Sequence, residues 1–204
     1  MSFADLLAHA GVEEVCTLRG RFGFMAFHGG SLEEMTDVIA SAAAERAGAS
    51  YYGVHQPPDL QWHIPSIEVD PGSSESFAAF LTHVDVVVSV HGYGRQGLWT
   101  TLLLGGGNRE LAAHVGSHLR GALPAYEIAT DLERIPKELR GLHPRNPVNR
   151  PARGGTQLEL PPRVRGSSPL WADWDEPGPV PHTVALIDGL AAAARTWDGV
   201  VATG

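Results

Sequence analysis

Two imidazoles and a carboxylate that meet around one cation make a hydrolytic site, and this chain carries candidates for each. Of its ten histidines, position selects two: His28 follows the apolar run 22–27, and His91 follows the run 84–90. In open α/β sheets ligands bind outside the carboxyl ends of the strands, so both imidazoles stand where a site forms. The loop after the first reads His28-Gly29-Gly30-Ser31-Leu32-Glu33-Glu34. Its glycines allow a sharp turn and a close backbone approach to a ligand. Its acids precede a helix start, where the dipole favours negative charge. Ser31 and Glu34 have the spacing of a capping box, which accounts for Glu34 and leaves Glu33 to share an ion with His28. His28, Glu33 and His91 make the open set of a catalytic zinc site, with the fourth position left for water. Zinc brings the pKa of such a water to about 7.

A nucleophilic water needs a base that takes its proton and returns it to the leaving nitrogen. Glu159 is the candidate, near the end of a short strand at 156–160 and flanked by Leu158 and Leu160. The alternative is an outward-facing strand carboxylate. Around it lie Arg140, Arg145, Arg150, Arg153, Arg163 and Arg165, and Glu159 is the only acid between 140 and 165. Guanidinium forks suit carboxylates and phosphates, so this segment reads as a local anion site in an acidic protein.

The elements that must position these groups alternate between strand-like and helix-like. Strands are expected at 22–27, 50–54, 84–90, 98–104, 126–130 and 156–160. A helix is expected after Ser31, with Leu32, Met35, Val38, Ile39, Ala42 and Ala43 at helical spacing. Others are expected at 74–83, around Leu111, Val115 and Leu119, and around Val184, Ile187 and Leu190. The pattern is that of one α/β domain over residues 1–204, its central sheet mostly parallel or mixed and flanked by helices. Two stretches, 136–155 and 161–181, are too rich in Pro, Gly or Arg for regular elements. They read as walls of a site or as surface coil on which Trp171 and Trp174 pack.

Composition narrows the function. With 204 residues, 43% of them hydrophobic and 19% charged, the chain has enough apolar surface for one core. The single cysteine, Cys16, excludes an internal disulfide. The net charge of −8 disfavours nucleic acid and anionic membranes as partners. No apolar run reaches bilayer length, and the start resembles no signal peptide, so a cytoplasmic protein is expected. Gly105–Gly107 lacks the residues of a P-loop or a dinucleotide fingerprint. His114 and His118 have the spacing of a zinc pair, but they border a buried stripe and lack the intervening glutamate of HExxH. No Gly-x-Ser-x-Gly elbow is present.

The words Phe27-His28-Gly29-Gly30-Ser31-Leu32-Glu33, Val90-His91-Gly92-Tyr93 and Gly105-Gly106-Gly107-Asn108-Arg109-Glu110-Leu111 occur in order. They are followed by Glu127-Ile128-Ala129-Thr130-Asp131, Val148-Asn149-Arg150 and Gly155-Thr156-Gln157-Leu158-Glu159-Leu160. In that order the chain resembles the poly-γ-glutamate hydrolases, phage-type zinc peptidases with a carboxypeptidase-A-like α/β fold. The resemblance implies Zn2+ held by His28, Glu33 and His91, Glu159 as general acid/base, and an anionic glutamyl polymer or peptide as substrate. It further implies that Asn149 and Arg150 hold a substrate carboxylate, assisted by Arg153 or Arg145. Tyr93 would donate to the oxyanion or simply pack. Two other functions fit the same residues: a non-catalytic carboxylate or phosphate binder using the arginine segment, and an amidase acting on another acyl-glutamate or on cell-wall peptide.

Overall fold

Neighbouring residues of a strand face opposite sides of a sheet, so a run such as Val86-Val87-Val88 requires cover on both. The computed structural model, which describes residues 2–198, supplies that cover. Seven strands form one sheet: β1 (Glu13–Thr17), β2 (Phe22–Gly30), β3 (Ser50–Gln56), β4 (Val86–Gly92), β5 (Thr101–Leu104), β6 (Glu127–Ala129) and β7 (Gly155–Leu160). Their order is β1-β3-β2-β4-β7-β5-β6. Strands β3, β2, β4 and β7 run parallel, while β1 and the β5–β6 pair run against them. The helices are α1 (Phe3–Leu7), α2 (Thr36–Ala47), α3 (Glu75–His83), α4 (Arg109–Ala122), α5 (Pro162–Arg165) and α6 (Pro181–Arg195).

One face of the sheet, with Phe24, Ala26, Val88, Val90, Leu158 and Leu160, packs on Ile39 of α2, Leu111 and Val115 of α4, and Leu186 and Leu190 of α6. The other, with Met25, Phe27, Tyr52, Val54 and Val87, packs on Phe3 and Leu6 of α1 and Phe77 and Phe80 of α3. This is the single α/β domain with a mixed, helix-flanked sheet that the sequence leads one to expect. Three elements, α1, β1 and α5, have no counterpart in the expectation, the last a single helical turn inside the stretch 161–181 read as irregular. The first is five residues long, closed by a capping box in which Ser2 Oγ accepts from Asp5 N at 3.2 Å and Asp5 Oδ2 from Ser2 N at 2.7 Å. The second is a charged, mostly exposed edge strand without an apolar run.

Two local expectations are corrected. No capping box forms at Ser31 and Glu34, because carbonyls returning from β3 capture the serine: Ser31 Oγ donates to Pro57 O at 2.7 Å and also to Leu60 O. Helix α2 begins only at Thr36, after Met35 in the left-handed region (φ 72°). The strand expected at 98–104 begins at Thr101, since Leu98 is held in a turn, its carbonyl accepting from Thr101 N.

The fold departs from regularity where it matters most. Between β2 and β3 the pairing runs Ala26 to Gly53 and then Gly29 to His55, which leaves one extra residue in β2. Such a bulge re-aims side chains. Just beyond it, Gly30 has φ 70°, and a Cβ there would lie 2.2 Å from the Gln56 carbonyl oxygen. A Cβ on Gly29 would meet the Asp37 side chain at 2.5 Å. The two glycines therefore let β2 close on β3 and α2, where the sequence suggested close approach to a ligand. Gly30→Ala combines a backbone clash with a strained φ. It is expected to destabilise the fold by about 2 kcal/mol or more, read as a lower urea midpoint at unchanged slope.

Candidate metal centre

His91 and Glu159 are register partners on β4 and β7. The period of two turns them, with Ser89 and Gln157, to the face opposite Val88, Val90, Leu158 and Leu160. His28 would by parity point with Phe24 and Ala26, but the bulge brings it round. Its ring centroid lies 4.8 Å from that of Phe27, the preceding residue, and 5.1 Å from that of His91. Phe27 meets both imidazoles edge-on and backs them with apolar surface. The third group arrives on a loop closed by Glu33 N donating to His28 O at 3.0 Å.

The Glu33 carboxylate spans the two rings. Oε1 lies 3.0 Å from His28 Nδ1; Oε2 lies 3.3 Å from His91 Nδ1 and accepts from Gly92 N at 3.0 Å. Both far ring nitrogens are anchored: His28 Nε2 sits 2.8 Å from Ile64 O and His91 Nε2 2.9 Å from Ser89 Oγ. A carbonyl can only accept, so His28 Nε2 carries hydrogen and its neutral tautomer turns the Nδ1 lone pair toward Glu33. Acceptors facing one another at these distances cohere only with a cation among them, a proton or a metal ion. Among the described residues His28, Glu33 and His91 form a group able to hold a metal, and 3.0 and 3.3 Å are spans that atoms about 2.0–2.2 Å from one ion subtend. The anchored far nitrogens are the outer-shell support that metal-ligating histidines have.

The electrostatics agree. Burial opposes the charge on Glu33, but the imidazoles of His28 and His91 outweigh it and hold the carboxyl well below the usual range. Burial also acts to lower His91, and there Glu33, aided by Glu159, outweighs it and raises the imidazole. Glu159 is 4% exposed, and that burial pushes its carboxyl up to about 7, against the pull of His91. Its Oε1 accepts from Gln157 Nε2 at 2.7 Å, and Gln157 Oε1 accepts from Asn146 Nδ2 at 2.8 Å. Behind the centre lies Arg165, the last residue of the arginine segment and unassigned by sequence. Its Nη1 donates to Glu34 O at 2.7 Å and its Nε to Leu160 O at 3.2 Å. The missing Cβ of Gly92 admits it, since that atom would lie 3.0 Å from the guanidinium carbon. Buried there, its charge balances Glu33, Glu34 and Glu159.

The four groups open into a cavity of about 890 Å³. Residues 137–144 form one wall, so the first irregular stretch does contribute a wall. The second does not line it: Trp171 and Trp174 pack on each other, and Trp171 on His182 of α6. Asn149, Arg150, Arg153 and Tyr93 also lie outside the lining. The Asn149 amide is consumed by the backbone, accepting from Gly107 N at 2.8 Å and donating to Gly141 O and His143 O at 2.8 and 3.0 Å. Arg150 is exposed just past that turn. Arg153 N donates to Asp85 O ahead of β4, and its guanidinium lies 5.5 Å from the Trp197 ring, at the other end of the sheet. Tyr93 is buried with its hydroxyl on Thr101 O at 2.6 Å and Leu98 O at 3.0 Å. His63, which the sequence did not single out, lines the cavity with its ring 5.0 Å from that of His28. His114 and His118 hydrogen-bond Ala193 O and Thr196 Oγ1 and gather no carboxylate.

The sequence profile described as poly-gamma-glutamate hydrolase matches residues 3–168. The chain belongs to that family. Its fold is similar to that of a bacteriophage poly-gamma-glutamate hydrolase, at 22% identity and TM-score 0.74, covering 91% of this chain and 89% of the other. It is likewise similar to YNDL in its apo, zinc-free form, at 18% identity and TM-score 0.76, covering 92% and 91%. A metallo-carboxypeptidase from Burkholderia cenocepacia matches at 10% identity and TM-score 0.51, over 93% of this chain and 65% of that one. No curated protein matches the sequence. Membership makes the chain a hydrolase, and among its described residues no helix is long and apolar enough to cross a membrane.

The relay from Asn146 through Gln157 bears on Glu159 directly. Gln157→Leu removes the donor that favours the ionised carboxylate. We expect kcat to fall about tenfold, with the acid limb of its pH profile displaced to higher pH; an unmoved limb would deny Gln157 this positioning role.

Proposed function

We propose that this chain is a zinc-dependent hydrolase that cleaves amide bonds in poly-γ-glutamate or a related glutamyl peptide. The observation that carries the reading is the convergence of His28 Nδ1, His91 Nδ1 and the Glu33 carboxylate beside a buried, hydrogen-bonded Glu159 in one cavity. Family membership names the substrate class, and a donor set of two imidazoles and one carboxylate suits zinc. When bound by these three side chains, zinc would polarise the scissile carbonyl and bring a water toward neutral pKa.

The remaining work falls to the chain. Glu159 Oε1 is held by Gln157, which leaves Oε2 to take the proton of the attacking water. The same oxygen then delivers that proton to the leaving nitrogen, so the carboxylate is regenerated as the amide bond breaks. Burial, which pushes the Glu159 carboxyl up to about 7, suits it to both halves of that transfer near neutral pH. Phe27 keeps water from the rear of the ligand rings. Ile64 O and Ser89 Oγ keep the rings from rotating.

Glu159→Gln is expected to retain stoichiometric metal and lose at least about a hundredfold in kcat. His28→Ala and His91→Ala are expected to lose metal and turnover together, measured by elemental analysis and by release of new amino groups from the polymer. Turnover retained in Glu159→Gln would remove the acid/base role. Since only the carboxylate accepts a proton, kcat/KM of the wild type should rise with pH along an acid limb. A cation at the neighbouring ligands favours the ionised form, so that limb lies at or below about pH 7. Chelation should abolish activity and zinc restore it; activity that survives chelation would overturn the metal-dependent reading. Comparing γ-linked with α-linked glutamate oligomers and with cell-wall peptides separates the polymer hydrolase from an amidase of another acyl-glutamate.

A further inference from the structure

The chain contains a single lysine, Lys137, and that lysine lines the cavity of the metal centre. It opens a 3-10 turn, Lys137–Leu139, whose cap is Arg140. With three residues per turn, side chains three apart eclipse, so Lys137 and Arg140 share one side of the turn. Both line the cavity, as does His143 three residues further on. Among the described residues the Lys137 ammonium has neither an ion-pair nor a hydrogen-bond partner. Arg140 spends Nε on Ile135 O at 2.9 Å. Its carboxylate neighbour, Glu133, is 3.5 Å away on a side chain 83% exposed. Glu138, the acid between the two cations, also lines the cavity, but its carboxylate is paired with Arg95. The charge on this wall is thus left largely uncompensated.

The wall is also built to stay put. Arg140 O accepts from Gly106 N at 2.7 Å, across a glycine turn where a Cβ on Gly105 would lie 2.3 Å from that oxygen. Gly141 O and His143 O are held by the Asn149 amide, and Asn146 is held by Gln157, the residue that also holds Glu159. The backbone that carries the two cations is therefore held in register with the acid/base carboxylate. A flexible surface lysine has no such framework beneath it.

We infer that Lys137 and Arg140 form the substrate-carboxylate subsite of this enzyme, with the Asn149 side chain acting behind the wall as its brace. The inference rests on the hydrolase reading above and deepens it: the ligand class is a carboxylate that the glutamyl substrate carries outside its scissile amide. The expectation from sequence assigned that role to Asn149 and Arg150, which do not line the cavity.

Lys137 is exposed and partnerless, so its variants should fold, and circular dichroism and the urea midpoint check this. The probe is a γ-linked glutamate oligomer titrated calorimetrically into the metal-loaded Glu159→Gln protein carrying Lys137→Ala, Lys137→Glu or Lys137→Arg. Affinity is expected to fall about threefold to fivefold for Ala and about tenfold or more for Glu, and to stay within about twofold for Arg. Salt at 0.5 M should shrink these differences. In the chain with Glu159 intact, the same substitutions should raise KM in the same order, with the loss carried by KM. Affinity and KM of Lys137→Glu within about twofold of the parent would overturn the subsite. A wild type that binds the oligomer through Lys137 without hydrolysing it would overturn the hydrolase reading and leave the subsite standing.

Discussion

Acceptors crowded into a buried space repel one another unless positive charge lies among them, and this constraint organises the centre of the molecule. His28, His91 and Glu33 are brought within contact distance at the carboxyl ends of parallel strands, away from most of the water that would otherwise screen them. Everything nearby reads as support for that unfavourable gathering. The β2 bulge turns His28 to the correct face. The register of β4 against β7 sets Glu159 beside His91. Carbonyl and hydroxyl anchors immobilise the ring nitrogens that point away. Arg165 enters through the space that Gly92 leaves and offsets the surplus negative charge from behind. An apolar surround raises the cost of leaving such a gathering without a proton or a metal ion among its members.

A second level of order links the centre to the irregular segment beside it. Residues 137–149 contain only short turns, yet they are tied at several points to the sheet. Gly106 binds Arg140 O, Asn149 binds two wall carbonyls, and Asn146 reaches Gln157 on β7. Gln157 is the junction, bonding the wall on one side and the Glu159 carboxyl on the other. A loop built in this way behaves as part of the scaffold, which is how functional loops gain the precision of the regular elements that carry them.

Charge in this protein is organised by placement more than by amount. The arginines between 140 and 165 look like one cluster along the chain, but folding disperses them. Arg153 goes to the amino-terminal end of the sheet, Arg163 lies 5.5 Å from the Tyr126 ring, and Arg165 is buried behind the His28–Glu33–His91 group. Arg140 alone of the six lines the cavity, where it joins a lysine that lies just outside the cluster in sequence. A dense run of one charge sign therefore misled as to which residues face a ligand, because neighbours in an irregular segment can diverge by the full height of the domain.

Local pattern was enough for most of the architecture and pointed to the four groups at its centre. Continuous β-branched runs need cover on both faces, helical spacing from Leu32 to Ala43 and from Leu111 to Leu119 supplies part of it, and residues at strand ends fall where α/β sheets bind ligands. Those are short-range regularities, and they point to His28, Glu33, His91 and Glu159 without any coordinates. What tertiary structure alone decided depends on partners distant in sequence. The extra residue in β2 shows only against β3, the fate of Ser31 depends on carbonyls 26 and 29 residues away, and the Asn149 amide is claimed by Gly107, Gly141 and His143. A side chain's type announces what it can bond, but which of several eligible partners it meets is a property of the folded chain.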